Sequence, residues 1–98
     1  MAKLIVLYWR DIPAQVIVKE NRASAKRELS KRFEVAIATA AMNANLGDSE
    51  SYLPEWRRVE SVVSEDDLHR VATETAARLE LDYDNARLER LVERGGLA

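Results

Sequence analysis

The chain opens on Lys3-Leu4-Ile5-Val6-Leu7-Tyr8-Trp9, where apolar side chains occupy both alternating parities. Leu4, Val6 and Tyr8 fall on one side, Ile5, Leu7 and Trp9 on the other. That pattern predicts a strand buried on both faces, at the centre of a sheet. Residues 15–19, Gln-Val-Ile-Val-Lys, predict a second strand from their β-branched content. Between them, residues 10–14 read as a five-residue hairpin loop in which Pro13 forces Ile12 towards extended geometry.

From Ser24, a candidate N-cap, a long helix is expected to reach about Asn45. Leu29, Phe33, Ala36, Ile37, Ala40 and Ala44 recur at three- and four-residue steps along it. Lys26, Arg27, Lys31 and Arg32 would crowd its first half against the helix dipole, and a Glu28–Arg32 pair would offset part of that cost. The alanine-rich second half allows another backbone to approach closely, and Gly47 is expected to close the helix in a left-handed conformation. A third strand is expected from Glu55 to Val63. Ser64-Glu65-Asp66-Asp67 has the form of a capping box for a further helix, with i,i+4 pairs Asp66–Arg70 and Glu74–Arg78. A last helix, capped by Asp82 and running from about Tyr83 to Arg94, stops at Gly95-Gly96.

These elements give an α+β fold of one domain spanning residues 1–98, in the order β-β-α-β-α-α. The expected sheet has three antiparallel strands in spatial order 2-1-3, with the doubly apolar strand central. Covering both faces of that sheet is difficult in 98 residues. An uncovered sheet face, or the alanine-rich helix face, would then mark an interface with a protein partner or a second copy.

Composition narrows the function classes. With no cysteine, disulfides and thiolate-ligated metals are excluded, and the expected compartment is the cytoplasm. No apolar run approaches a membrane span, and the apolar start continues into strand sequence without a signal-peptide cleavage site. Residues 1–46 hold eight Lys/Arg against four Asp/Glu, residues 47–98 seven against thirteen. This polarity suits complementary halves or head-to-tail pairing better than a nucleic-acid surface. The basic group has no interleaved aromatics and is diluted by Glu20, Glu28 and Glu34. His69 is the sole histidine, one turn after Glu65, which falls short of the three or four ligands a metal site needs. No nucleophile–base set and no phosphate-cradling glycine loop is present, so catalytic, cofactor and metal residues are all assigned as none.

Two aromatic elements remain, residues 8–13 and 52–56. Each tryptophan could plug an end of the core or belong to a recognition surface, since Trp, Tyr and Arg dominate interface hot spots. The candidate surface comprises Trp9, Arg10, Asp11, Tyr52 and Trp56. On this reading Asp11 fixes the loop and holds Arg10 in place, and replacing Arg10 by Ala leaves folding almost intact.

Tyr8-Trp9-Arg10-Asp11-Ile12-Pro13-Ala14-Gln15-Val16, Arg32-Phe33 leading into Ala36-Ile37 and Ala40-Ala41-Met42, and Tyr52-Leu53 with Glu55-Trp56-Arg57 carry a resemblance. Over about residues 3–63 the chain resembles the small bacterial virulence factor domain family. The resemblance brings no catalytic residue with it; His69 and the tail after Gly95 lie outside its motifs. In Gram-positive relatives a similar domain is joined to a NifU-like domain and helical repeats, which implies a protein-binding or accessory module. Free-standing relatives are typical of alphaproteobacteria and are associated with folate- and corrinoid-linked methyl transfer. The alternative implied is an accessory subunit or small enzyme of that chemistry.

Overall fold

The computed structural model describes residues 1–64 and 67–98. Strands β1 (Ala2–Trp9), β2 (Ile12–Glu20) and β3 (Ala23–Glu28) are followed by helix α1 (Lys31–Asn43) and the short helix α2 (Ser49–Tyr52). A 3₁₀ turn (Leu53–Glu55) leads into β4 (Trp56–Val63), then α3 (Leu68–Asp82) and α4 (Asn85–Glu93). The sheet is antiparallel throughout, in the order β3-β2-β1-β4.

The expected strand order 2-1-3 survives as β2-β1-β4, with the doubly apolar strand inside the sheet. The sheet nevertheless has four strands. Residues 23–28 continue from β2 through a turn at Asn21-Arg22 instead of starting a helix, with Asn21 at φ 55°. The register sets Ala25 opposite Val18, and both are buried beneath Val71 and Ala72 of α3. Docking of one small apolar side chain, not helix propensity, decides this segment. The cations Lys26 and Arg27 therefore sit on a strand, Glu28 cannot pair with Arg32, and α1 begins only at Lys31.

The first hairpin also differs. Its turn is the two residues Arg10-Asp11, with Arg10 at φ 52°. The register slips between Leu7↔Gln15 and Tyr8↔Pro13, so Ala14 is the extra residue of a bulge. The bulge lets Pro13 lie in a paired strand, and the Ala14 carbonyl accepts the Leu29 amide (3.0 Å), one step beyond the Gln15↔Glu28 pair of β2 and β3.

Two apolar clusters follow. Ala2, Val6, Val16, Val18 and Ala25 face α3, which lies across β2 and β3. Trp9, Ile12, Phe33, Ala36, Ala40, Leu88 and Leu91 join the sheet's end to α1 and α4. On the opposite sheet face Ile5, Leu7 and Ile17 belong to neither cluster, while Trp9 at its end joins α1 and α4. Ile5 is still only 1% exposed. Its lateral neighbours in the register are Ile17 and Glu60, and Glu60 is ion-paired to Lys3 (3.2 Å) and Arg58 (3.4 Å) on this face.

Capping corrects several boundaries. Ser30 sits at the N-cap of α1 without a side-chain cap bond; its amide and hydroxyl instead donate to the two Glu80 carboxylate oxygens (2.6 and 2.9 Å). Asp67 caps α3 by accepting the Arg70 amide (3.1 Å), while Glu65, Asp66 and the Asp66–Arg70 pair lie outside the described residues. Arg70 pairs with Glu74 (3.0 Å). Asp84, not Asp82, caps α4. Asn45 (φ 59°), not Gly47, takes the left-handed conformation after α1. The alanine-rich end of α1 does meet a backbone closely: a Cβ on Gly95 would lie 2.9 Å from the Ala44 Cβ.

Candidate functional site at the hairpin end of the sheet

Trp9 leaves β1 pointing into the cluster formed with α1 and α4 and is 0% exposed. Its indole N–H donates to the Tyr52 carbonyl (3.1 Å), and the two rings stack at 5.5 Å with 22° between planes. Tyr52 meets Trp56 edge to face at 6.1 Å. β4 starts where β1 ends, with Trp9 opposite Trp56, so the two aromatic elements adjoin.

Arg10 is tied down. Its guanidinium donates to the Gly95 carbonyl and to Glu55 Oε1 (both 3.0 Å), while its backbone amide donates to the Glu55 carbonyl (3.0 Å). Its side chain is 16% exposed, and its buried Nε–H has no protein partner. Asp11 does not hold Arg10. It pairs with Arg57 (3.1 Å) and accepts the Ala98 amide (2.7 Å), and its own amide donates to the Gly96 carbonyl (2.8 Å). Arg57 closes the knot by donating to the Arg10 carbonyl (2.8 Å) and lying over the Tyr8 ring at 4.6 Å. Burial pushes the Tyr8 phenol above its usual range, Tyr83 adds to this, and Arg57 draws it partway back.

Trp9, Arg10 and Asp11 thus form the rear of the region, and Tyr52 and Trp56, half-buried, form its front. These two rings make one wall of a half-open cleft of about 610 Å³. Leu7, Gln15 and Glu28, aligned across three strands on the sheet face that carries Ile5, make its floor. Glu34, Ile37 and Ala38 of α1 form the far wall.

The sequence gives no sign of this cleft. Glu28 and Glu34 read as mere dilution of a basic helix, and Gly95-Gly96 only as a helix stop. Gly96, at φ 93°, instead passes against Trp9; a Cβ there would lie 2.7 Å from the indole Cζ3. His69 is exposed on α3, and among the described residues no three His, Cys, Asp or Glu side chains gather to hold a metal. Among these residues no helix is long and apolar enough to cross a membrane.

No curated protein and no solved structure matches the chain. The family model described as Virulence factor matches residues 7–92, from within β1 into the last helix, and so takes in both aromatic elements and every residue of the cleft. By this match the chain belongs to the Virulence factor family.

Proposed function

We propose that the protein is a protein-interaction or accessory module that docks a partner protein, or a second copy of itself, at the hairpin end of its sheet. Tyr52 and Trp56 form the contact surface, and Trp9, Arg10 and Asp11 hold it from behind. One observation carries the reading: two half-buried aromatic side chains wall a half-open cleft and are backed by a hydrogen-bonded knot. Aromatic anchors held rigid at the mouth of a pocket are the usual energetic centre of an interface.

Photo-crosslinking tests this reading. A photoreactive residue at Leu53, exposed beside Tyr52, should capture a specific protein in the native organism, and one at Met42, exposed on α1, should not. The purified partner should then bind Trp56→Ala about tenfold more weakly than the unmodified chain, equivalent to about 1.4 kcal/mol. Unchanged affinity in Trp56→Ala would refute the placement.

A further inference from the structure

Guanidinium groups cover most of the aromatic rings of this protein. Arg10 lies over Trp9 (5.4 Å), Arg57 over Tyr8 (4.6 Å), Arg32 over Phe33 (4.5 Å) and Arg87 over Tyr83 (3.9 Å). The two rings without such a partner among the described residues are Tyr52 and Trp56, the two that wall the cleft. Tyr52 already gives one face to Trp9, and the Trp56 ring presents only an edge-to-face contact to Tyr52.

The charge of the cleft points the same way. Glu28 and Glu34 stand on its floor and far wall, and neither carboxylate makes an ion pair or hydrogen bond with any described residue. No lysine or arginine lines the cleft. Arg58, across from Leu7 on the same sheet face, is held by Glu60. Leu7 on the floor and Ile37 on the far wall add apolar surface to the same cleft. A ring face, two carboxylates and apolar surface together match a long side chain with an apolar stem and a cationic head.

Resting on the docking surface proposed above, we infer that the cleft receives an arginine side chain from a basic segment of the partner polypeptide. The stem lies on Leu7 and Ile37, the planar guanidinium stacks on Trp56, and its N–H groups donate to Glu28 or Glu34. Arginine suits the site better than lysine because it can stack and donate at once. The half-open shape favours a side chain carried on a chain over a free small molecule, since small-molecule sites enclose most of their ligand.

The test uses the full chain, nitrogen-15 labelled, titrated with the capped peptide Leu-Arg-Leu, with its citrulline counterpart and with agmatine. The arginine peptide should shift the Trp56 indole N–H and the Ala38 amide. It should bind at least fivefold more tightly than the neutral citrulline peptide and than agmatine. Glu28→Gln/Glu34→Gln should weaken the arginine peptide about fivefold, with the difference shrinking at high salt. If the two peptides bind alike, or the double variant changes nothing, the cationic occupant is overturned while the docking surface stands. If agmatine binds as tightly as the arginine peptide, the occupant is a small amine and the peptide assignment fails. If neither peptide shifts the Trp56 indole and Trp56→Ala leaves their binding unchanged, the docking surface falls as well.

Discussion

Arg10 offers the sharpest check on the hairpin knot, because residue type and local context make it look like a free surface side chain. In the structure, Arg10→Ala removes two charge-assisted hydrogen bonds, to Gly95 and Glu55, and a guanidinium over Trp9. Hydrogen bonds to charged groups contribute about 1.5–3 kcal/mol each when buried. Glu55 is 38% exposed, so its bond belongs below that range, and removing the unpartnered Nε–H relieves part of the loss. The net expectation is about 2 kcal/mol, a fall in Tm of about 8–16 °C for a domain of this size.

A second variant separates side-chain bonding from backbone geometry. Arg10 holds φ 52°, where any residue with a Cβ is strained. Arg10→Gly therefore loses the same bonds but should be about 1 kcal/mol more stable than Arg10→Ala. Urea unfolding followed by tryptophan fluorescence reads both, since Trp9 is buried against the knot. A cost under about 0.5 kcal/mol for Arg10→Ala would refute the structural role given to Gly95 and Glu55.

Two further substitutions probe the packing around this end. Gly96→Ala places a Cβ 2.7 Å from Trp9 at φ 93° and should cost about 2–4 kcal/mol; Gly47→Ala, with nothing within 4 Å, should stay within about 0.5 kcal/mol by thermal unfolding. At the other end of α1, burial raises the Glu80 carboxyl, but the Ser30 amide and hydroxyl and Arg32 outweigh it and hold it below its usual range. A carboxyl lowered in the folded state adds stability above the unfolded pKa and loses it as pH falls through the folded value. Glu80→Gln should therefore be about 1–2 kcal/mol less stable at pH 7, with the gap closing as pH falls below about 4 in urea titrations. A gap independent of pH would contradict this.

How far the fold is legible in the sequence varies by element. β1 is legible because both parities are apolar, and the order β2-β1-β4 follows from its central place. β3 is not, because Ala23-Ser24-Ala25-Lys26-Arg27-Glu28 holds no large apolar residue and leads into a helical stripe. Its strand identity rests on Ala25 fitting beneath α3, whose residues lie more than forty positions away. The capping of α1 fails for the same reason: Ser24 reads as the local cap, yet Ser30 holds that position and its partner, Glu80, is fifty residues distant. The aromatic residues of the candidate surface are visible as types, but not which of them is buried. The bulge at Ala14 and the tail at Gly95-Gly96 decide that, and both act through three-dimensional contact.

The cleft itself follows from how the sheet covers its own apolar residues. A strand apolar on both parities calls for a helical layer on each face, yet Ile5 is almost fully buried without belonging to either helix-packed cluster. Ile17 and Glu60 flank it in the register, and Glu60 is anchored between Lys3 and Arg58. Long side chains on neighbouring strands can shield an apolar residue without a second layer. α1 is therefore not needed above the sheet, and it packs at the sheet's end with α4, around Trp9 and Ile12. A helix standing at the end of that face leaves a notch between the two. Leu7, Gln15 and Glu28 lie in that notch, and Tyr52 and Trp56 close its side as the chain returns into β4. The same economy that lets a short chain bury a doubly apolar strand thus opens a cleft where the two aromatic rings without a guanidinium and the carboxylates of Glu28 and Glu34 converge.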